Sequence, residues 1–132
     1  MVLLIIPIII LSDQISAHVI KPLVARPRPC IALPDVRLLT NTRTSFSFPS
    51  AHAANFFALA AFLSYFYRKY RWWFYGIAAL VAYSRIYIGI HYPSDAIAGA
   101  ILGICCAGAV LYTWQFFEKK IARSMSANNL DS

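Results

Sequence analysis

Charged residues, and acidic ones above all, are scarce in this chain of 132 residues. Aspartate and glutamate number 5 against 12 lysines and arginines, and 13% of residues are charged, where a soluble domain carries about a quarter. This shortage argues against a soluble globular domain. The net charge of +7 by itself allows nucleic acid, anionic lipid or phosphate as a partner. Long apolar runs argue against nucleic acid, which leaves lipid surfaces and phosphate groups.

Cysteine is also sparse. The three cysteines, Cys30, Cys105 and Cys106, offer no disulfide framework, and the adjacent pair inside an apolar run is typical of small packing residues. No group of cysteines and histidines has the spacing of metal ligands. A glycine-rich phosphate loop is missing as well. We therefore expect neither a metal site nor another cofactor.

Hydrophobic residues make up 60% of the chain and are concentrated in four segments of roughly membrane-spanning length. These cover about Val2–Ile20, Ala51–Tyr67, Trp72–Ile88 and Ser94–Phe117. In lipid each backbone polar group must be satisfied within its own segment, so such runs are predicted to be helices. The predicted fold class is all-α, an integral membrane bundle of about four transmembrane helices with a long loop between the first two.

We predict one domain over residues 1–124 and a polar C-terminal tail over residues 125–132. The long loop, Lys21–Ser50, holds five of the seven prolines, so no long helix is expected there. Counting crossings places this loop on the same face as Arg85–Asp95, because two helices lie between them. Lysines and arginines divide evenly between the two faces, so the positive-inside rule leaves the orientation undecided.

The first two candidate groups lie on either side of this loop. Lys21 and Arg28 suit phosphate oxygens, although interfacial anchoring or anionic headgroups explain them equally well. Pro49 and Ser50 predict the start of a helix whose free N–H groups favour an anion. Ser50 would then cap the helix or donate to a phosphate, with His52 in the first turn. A plain cap beside a partly buried histidine is the alternative.

The third group surrounds His91. Asp95, four residues on, is within reach of one imidazole nitrogen, which would leave the other nitrogen as a nucleophile or base. The alternative is a helix start with Asp95 favoured by the dipole. Arg85 ends an apolar helix on the same face, so we expect it to have an anionic partner. Two histidines, one aspartate and three cations suit metal-free phosphoryl transfer, in which one histidine attacks phosphorus and the other protonates the leaving oxygen.

These residues resemble the three motifs of the type 2 phosphatidic acid phosphatase (PAP2) superfamily, which includes membrane lipid phosphatases and vanadium haloperoxidases. The first motif, Lys, six residues, Arg-Pro, corresponds to Lys21 through Arg28-Pro29. The second, Pro-Ser-Gly-His, corresponds to Pro49-Ser50-Ala51-His52. The third, Ser-Arg, five residues, His, three residues, Asp, corresponds to Ser84-Arg85, His91 and Asp95. All three occur in the family's order.

The resemblance implies a role for each matching residue. His91 would be the nucleophile that forms a phosphohistidine, Asp95 would orient it, and His52 would be the general acid. The residues implied to hold the phosphate are Lys21, Arg28, Ser50 and Arg85. The implied partners are a lipid phosphate substrate and the lipid bilayer, without nucleic acid, metal or cofactor. The implied location is the bacterial inner membrane, with the active site on the outer face.

Two departures from the family pattern stand out. Ala51 replaces the motif's glycine, and its methyl group would crowd a close backbone approach. Membrane members usually have six helices, so the resemblance implies an N-terminally short member or a fragment without the first two. The expected function is metal-independent hydrolysis of a lipid phosphate or pyrophosphate, of the undecaprenyl pyrophosphate or phosphatidic acid type. One alternative is an inactive truncated membrane scaffold. The other is a vanadate-dependent haloperoxidase, and the membrane-length apolar runs argue against this second alternative.

Overall fold

A computed structural model describes residues 2–33 and 45–128 of the chain, and the side chains of residues 3–33 and 45–123. Every regular element in these ranges is helical, which confirms the all-α class for them. The helices are α1 (Ile5–Gln14), α2 (Lys21–Val24), α3 (Pro29–Ala32), α4 (Ala51–Phe66), α5 (Arg71–Tyr87) and α6 (Pro93–Asn128). A π-helical stretch, Ile15–Ile20, joins α1 to α2, and short 3₁₀ turns, Val2–Leu4 and Arg68–Tyr70, precede α1 and α5.

A helix lies at each of the four predicted segments, but the count of four spans is not confirmed. Within the described ranges, two stretches are long and apolar enough to cross a membrane, Ile5–Ala32 and Pro93–Arg123. Helices α4 and α5 have 16 and 17 residues, fewer than the roughly 20 that a bilayer needs. The middle of the predicted loop, residues 34–44, lies outside the described residues, and α6 continues into the predicted tail.

Local sequence explains where the elements near the loop begin and end. Ser50 caps α4, because its Oγ accepts a hydrogen bond from the Ala53 N–H at 3.4 Å. Pro93 is the first residue of α6, a position that suits its fixed φ. Gly89, in the turn before it, has a φ of 84°, which glycine adopts without strain. Ala25 ends α2 with a φ of 48° and turns the chain towards the extended residues that precede α3.

Helix α4 is the centre of the bundle and packs against α1, α5 and α6. Its face towards α6 consists of small, fully buried residues, Ala53, Ala54 and Ala58. They pack against Gly99 and Gly103 of α6, and small residues of this kind let two helix backbones approach closely. On the other side, the Asn55 side chain donates a hydrogen bond to Asp13 Oδ1 at 2.9 Å. Helix α4 is therefore fixed between α1 and α6.

Candidate active site

A cavity of about 80 Å³ lies at the end of the bundle where α4 begins. Three separate stretches of chain meet there: α2–α3, the approach to α4, and the turn between α5 and α6. The lining residues are Lys21, Arg28, Ser45, Ala51, His52, Ile90 and His91. The structure thus brings together one predicted residue or more from each motif, on the shared face that the crossing count predicts.

Arg28 is 3% exposed and is held from two sides. Its Nε donates to the Ser45 carbonyl at 2.8 Å, and its Nη2 donates to Ser45 Oγ at 2.9 Å. Its Nη1 donates to the Ile90 carbonyl at 3.0 Å and lies 3.5 Å from His91 Nε2. These contacts fix the guanidinium beside the imidazole before any ligand binds.

His91 is almost fully buried between Arg28 and Asp95. Its Nδ1 lies 3.5 Å from Asp95 Oδ2, which is longer than a well-formed hydrogen bond, and Nδ1 has no other partner among the described residues. Such contacts in ligand-free enzymes often shorten when the substrate binds. The arrangement leaves Nε2 as the ring nitrogen on the side of Arg28 and the cavity.

The protonation of His91 follows from this setting. Burial, together with the positive charge of Arg28, lowers the pKa of His91 from 6.5 to about 4, and the opposing effect of Asp95 is smaller. The imidazole is therefore neutral at neutral pH. A neutral imidazole keeps the lone pair that a nucleophile or base requires.

The lowered pKa predicts a pH-dependent stability. Because the unfolded chain binds a proton at His91 near pH 6.5 and the folded chain only near pH 4, stability present above pH 6.5 is lost as the pH falls towards 4. The loss is at most about 3 kcal/mol. Thermal unfolding in detergent between pH 7 and pH 4.5 would measure it. His91→Gln should show a weaker pH dependence than the wild type, with the same change at the exposed His18 as control; equal pH dependence of His91→Gln and wild type would contradict the burial argument.

Asp95 lies behind His91 and is fully buried. Its Oδ1 accepts a hydrogen bond from Arg26 Nη1 at 2.9 Å, and its Oδ2 accepts one from the Tyr92 N–H at 2.9 Å. Its backbone carbonyl accepts from the Ser50 N–H at 3.0 Å. The backbone of Asp95 is thus joined directly to the residue that caps α4.

Two predicted phosphate ligands do not line the cavity. Ser50 is fully buried and caps α4. Arg85 accepts a backbone hydrogen bond from the Ile90 N–H at 3.3 Å, and its Nε is buried without a hydrogen-bond partner among the described residues. A contact of either residue with phosphate stays a prediction.

Two residues of the site, Ser45 and Arg26, were not predicted from the sequence to be site residues. Ser45 binds Arg28 and lines the cavity, but it lies among other serines and threonines with no spacing that distinguishes it. Arg26 pairs with Asp95; the only signal was its place two residues before Arg28 in a proline-rich, extended segment. Ala51, where the motif has glycine, is one of the residues that line the cavity.

Comparison with known proteins agrees with the motifs. The sequence model of the PAP2 superfamily matches residues 2–119. The chain is 43% identical over 100 residues to lipid A 4'-phosphatase of Bacteroides thetaiotaomicron, covering 70% of this chain and 44% of the relative. It is 38% identical over 91 residues to undecaprenyl-diphosphatase of Sulfolobus acidocaldarius, covering 67% of this chain and 44% of that relative.

Two solved structures share the fold. LpxE of Aquifex aeolicus matches with a TM-score of 0.75 and 34% identity, over 83% of this chain and 66% of that one. The PAP2-type phosphatidylglycerolphosphate phosphatase of Bacillus subtilis matches with a TM-score of 0.63 and 30% identity, over 90% and 59%. The chain spans less than half the length of the two relatives named above. The match over residues 2–119, the three motifs and the shared fold show that the chain belongs to the PAP2 superfamily.

Proposed function

We propose that the chain carries the catalytic core of a membrane lipid phosphatase that works through a phosphohistidine on His91. The observation that supports this most is the cavity in which two histidines and two cations meet. Its volume of about 80 Å³ suits a phosphoryl group but not a whole lipid, since pockets for drug-sized ligands span about 300–1,000 Å³. The apolar part of the substrate would remain outside the cavity.

In the first step, His91 Nε2 attacks phosphorus, so that a P–N bond forms while the P–O bond to the lipid breaks. His52 gives its proton to the leaving oxygen. In the second step a water molecule attacks the phosphohistidine, His52 takes a proton from the water, and phosphate and free His91 are regenerated. Asp95 stabilises the positive charge that the ring acquires between the two steps.

Charge stabilisation comes from Lys21 and Arg28. Arg28 is already held by Ser45 and the Ile90 carbonyl, so little reorganisation is needed when charge develops on the phosphoryl oxygens. Within the part of the chain that the structure describes, no group of three or more histidine, cysteine or acidic side chains is arranged to hold a metal ion. We propose a metal-independent reaction in which Lys21 and Arg28 supply the charge stabilisation.

The proposed substrates are lipid phosphates or pyrophosphates of the undecaprenyl pyrophosphate or phosphatidic acid type. The similarity to an undecaprenyl-diphosphatase and to lipid A 4'-phosphatases supports this class. The proposed location is the bacterial inner membrane with the site facing outwards. Because Arg26 and Arg28 are engaged within the site, the balance of the remaining basic residues favours the opposite end as the cytoplasmic side.

A phosphate-release screen with purified protein tests the proposal. We expect release from undecaprenyl pyrophosphate, phosphatidic acid or a lipid A phosphate, unchanged in excess EDTA. Loss of activity in EDTA that magnesium restores would contradict the metal-free mechanism. Folded protein that releases no phosphate from any of these lipids would favour the inactive scaffold. Halide oxidation that appears only with added vanadate would favour the haloperoxidase.

A further inference from the structure

Arg26 lies outside the cavity lining but makes the closest charged contact with Asp95 among the described residues. Its Nη1 donates to Asp95 Oδ1 at 2.9 Å and to Ser94 Oγ at 2.7 Å. Its guanidinium carbon lies 3.8 Å from the centre of the Tyr92 ring, in the geometry of a cation–π contact. One side chain thus contacts three of the four residues from Tyr92 to Asp95, where α6 begins.

The backbone of Arg26 is fixed as well. Its carbonyl accepts hydrogen bonds from the Ser47 N–H at 2.9 Å and from Ser47 Oγ at 3.3 Å. The residue therefore links the approach to α4 with the start of α6. With its side chain 34% exposed, it forms this link from the solvent side of the carboxylate.

Arg26 and Arg28, separated by one proline, act on the two ring nitrogens of His91 in different ways. Arg28 lies 3.5 Å from Nε2. Arg26 acts on the Nδ1 side, because it binds the carboxylate whose other oxygen lies 3.5 Å from Nδ1. Burying a carboxylate is costly unless it is paired and hydrogen-bonded, and Arg26 supplies the pairing charge.

We propose that Arg26 is a positioning residue for the reaction, which holds the Asp95 carboxylate oriented so that Oδ2 binds the Nδ1–H of His91 when Nε2 is phosphorylated. This inference rests on the proposed function. Because its charge partly offsets that of Asp95, Arg26 also keeps the carboxylate from removing the Nδ1 proton. The proton then remains on the ring, and the phosphohistidine remains a cation with a good leaving group.

A pH effect separates this role from simple bracing of the fold. The charged and titratable groups around His91 are Asp95 and Arg28 at its two nitrogens, with Lys21 and His52 also lining the cavity. Removing the charge of Arg26 leaves more of the field of Asp95 acting on the imidazole, and this favours protonation. The acidic limb of kcat/KM should therefore move to higher pH.

The test compares Arg26→Gln and Arg26→Lys with the wild type on a short-chain phosphatidic acid. Loss of a charge-assisted hydrogen bond should lower kcat of Arg26→Gln by about 10- to 100-fold, with KM unchanged within about threefold. Arg26→Lys keeps the charge and should recover most of the activity and the wild-type acidic limb. Arg71→Gln is the matched control, because Arg71 is exposed and also stacks on an aromatic ring, that of Trp72 at 4.9 Å.

A double mutant shows whether Arg26 acts through Asp95. In an Asp95→Asn background, Arg26→Gln should lower kcat by less than about twofold further. Fully additive losses of kcat in the double mutant would overturn the inference. A raised KM with unchanged kcat in Arg26→Gln would also overturn it, and would indicate that Arg26 binds the lipid headgroup instead. If Arg26→Gln does not fold, Arg26→Lys decides: a raised KM with unchanged kcat and acidic limb again overturns it. An active His91→Ala would instead refute the proposed function, whereas an inactive His91→Ala beside a wild-type-like Arg26→Gln would refute this inference alone.

Discussion

His91→Ala is expected to lower the rate of phosphate release by at least about a thousandfold, because it removes the proposed nucleophile on which both proposed chemical steps depend. Among the described residues that line the cavity, the other imidazole is that of His52, which is proposed to act on the leaving group. The measurement is phosphate release from the best lipid of the screen, in detergent or vesicles. Rapid acid-free quenching with radiolabelled substrate should trap labelled protein in the wild type and not in the variant.

His18→Ala is the matched control, since His18 is exposed on the π-helical stretch and does not line the cavity. It should keep wild-type activity. Thermal unfolding of both variants separates lost chemistry from lost folding. Equal phosphate release by wild type and His91→Ala would show that the proposed mechanism is wrong.

Gly103→Ala is expected to produce the second-largest effect, through the backbone. A Cβ at Gly103 would overlap the Ala54 carbonyl oxygen and lie 2.9 Å from the Ala58 backbone nitrogen. Backbone atoms of α4 cannot rotate away as a side chain can, so the two helices must separate. Overpacking of this kind costs about 1–3 kcal/mol. Because a displacement of roughly 1 Å at a reacting group costs on the order of a hundredfold in rate, we expect a loss of activity of that size.

Gly108→Ala provides the control within the same helix, because a Cβ there would meet nothing within 4 Å. It should be neutral or slightly stabilising, since alanine favours a helix over glycine by about 1 kcal/mol. The measurements are the midpoint of thermal unfolding in detergent and the rate of phosphate release. Identical results for the two alanine variants would contradict the close approach of α4 and α6.

Much of this arrangement could be predicted from the sequence because it depends on local signals. Pro49 and Ser50 predicted the start of α4, which begins at Ala51 and is capped by Ser50. The apolar segment Trp72–Ile88 predicted α5, which covers Arg71–Tyr87. The order of crossings then placed the three motifs on one face. Each inference used a short window or a count, and neither needs the distances between side chains.

The remaining features of the site depend on contacts between residues that are too far apart in the sequence to share a short window. The pairing of Arg26 with Asp95 joins residues from two motif regions far apart in the sequence, and the same composition would have allowed Arg26 a phosphate or a headgroup. Ser50 had two predicted roles: the hydrogen bond from the Ala53 N–H shows the cap, and a contact with phosphate stays a prediction. The tight contact at Gly103 required knowledge of the facing turn of α4. The predicted segment Ser94–Phe117 is shorter than α6, which covers Pro93–Asn128. The polar residues after the apolar segment extend a helix that has already formed, which costs little free energy.

The hydrogen bond from the Ser50 N–H to the Asp95 carbonyl has a consequence for how such a site can change. It joins the first turn of the helix that carries His52 to the first turn of the helix that orients His91. The separation between the proposed attacking nitrogen and the proposed proton donor therefore depends on main-chain atoms and on helix packing. A substitution that moves the start of one of these helices should therefore move the start of the other with it.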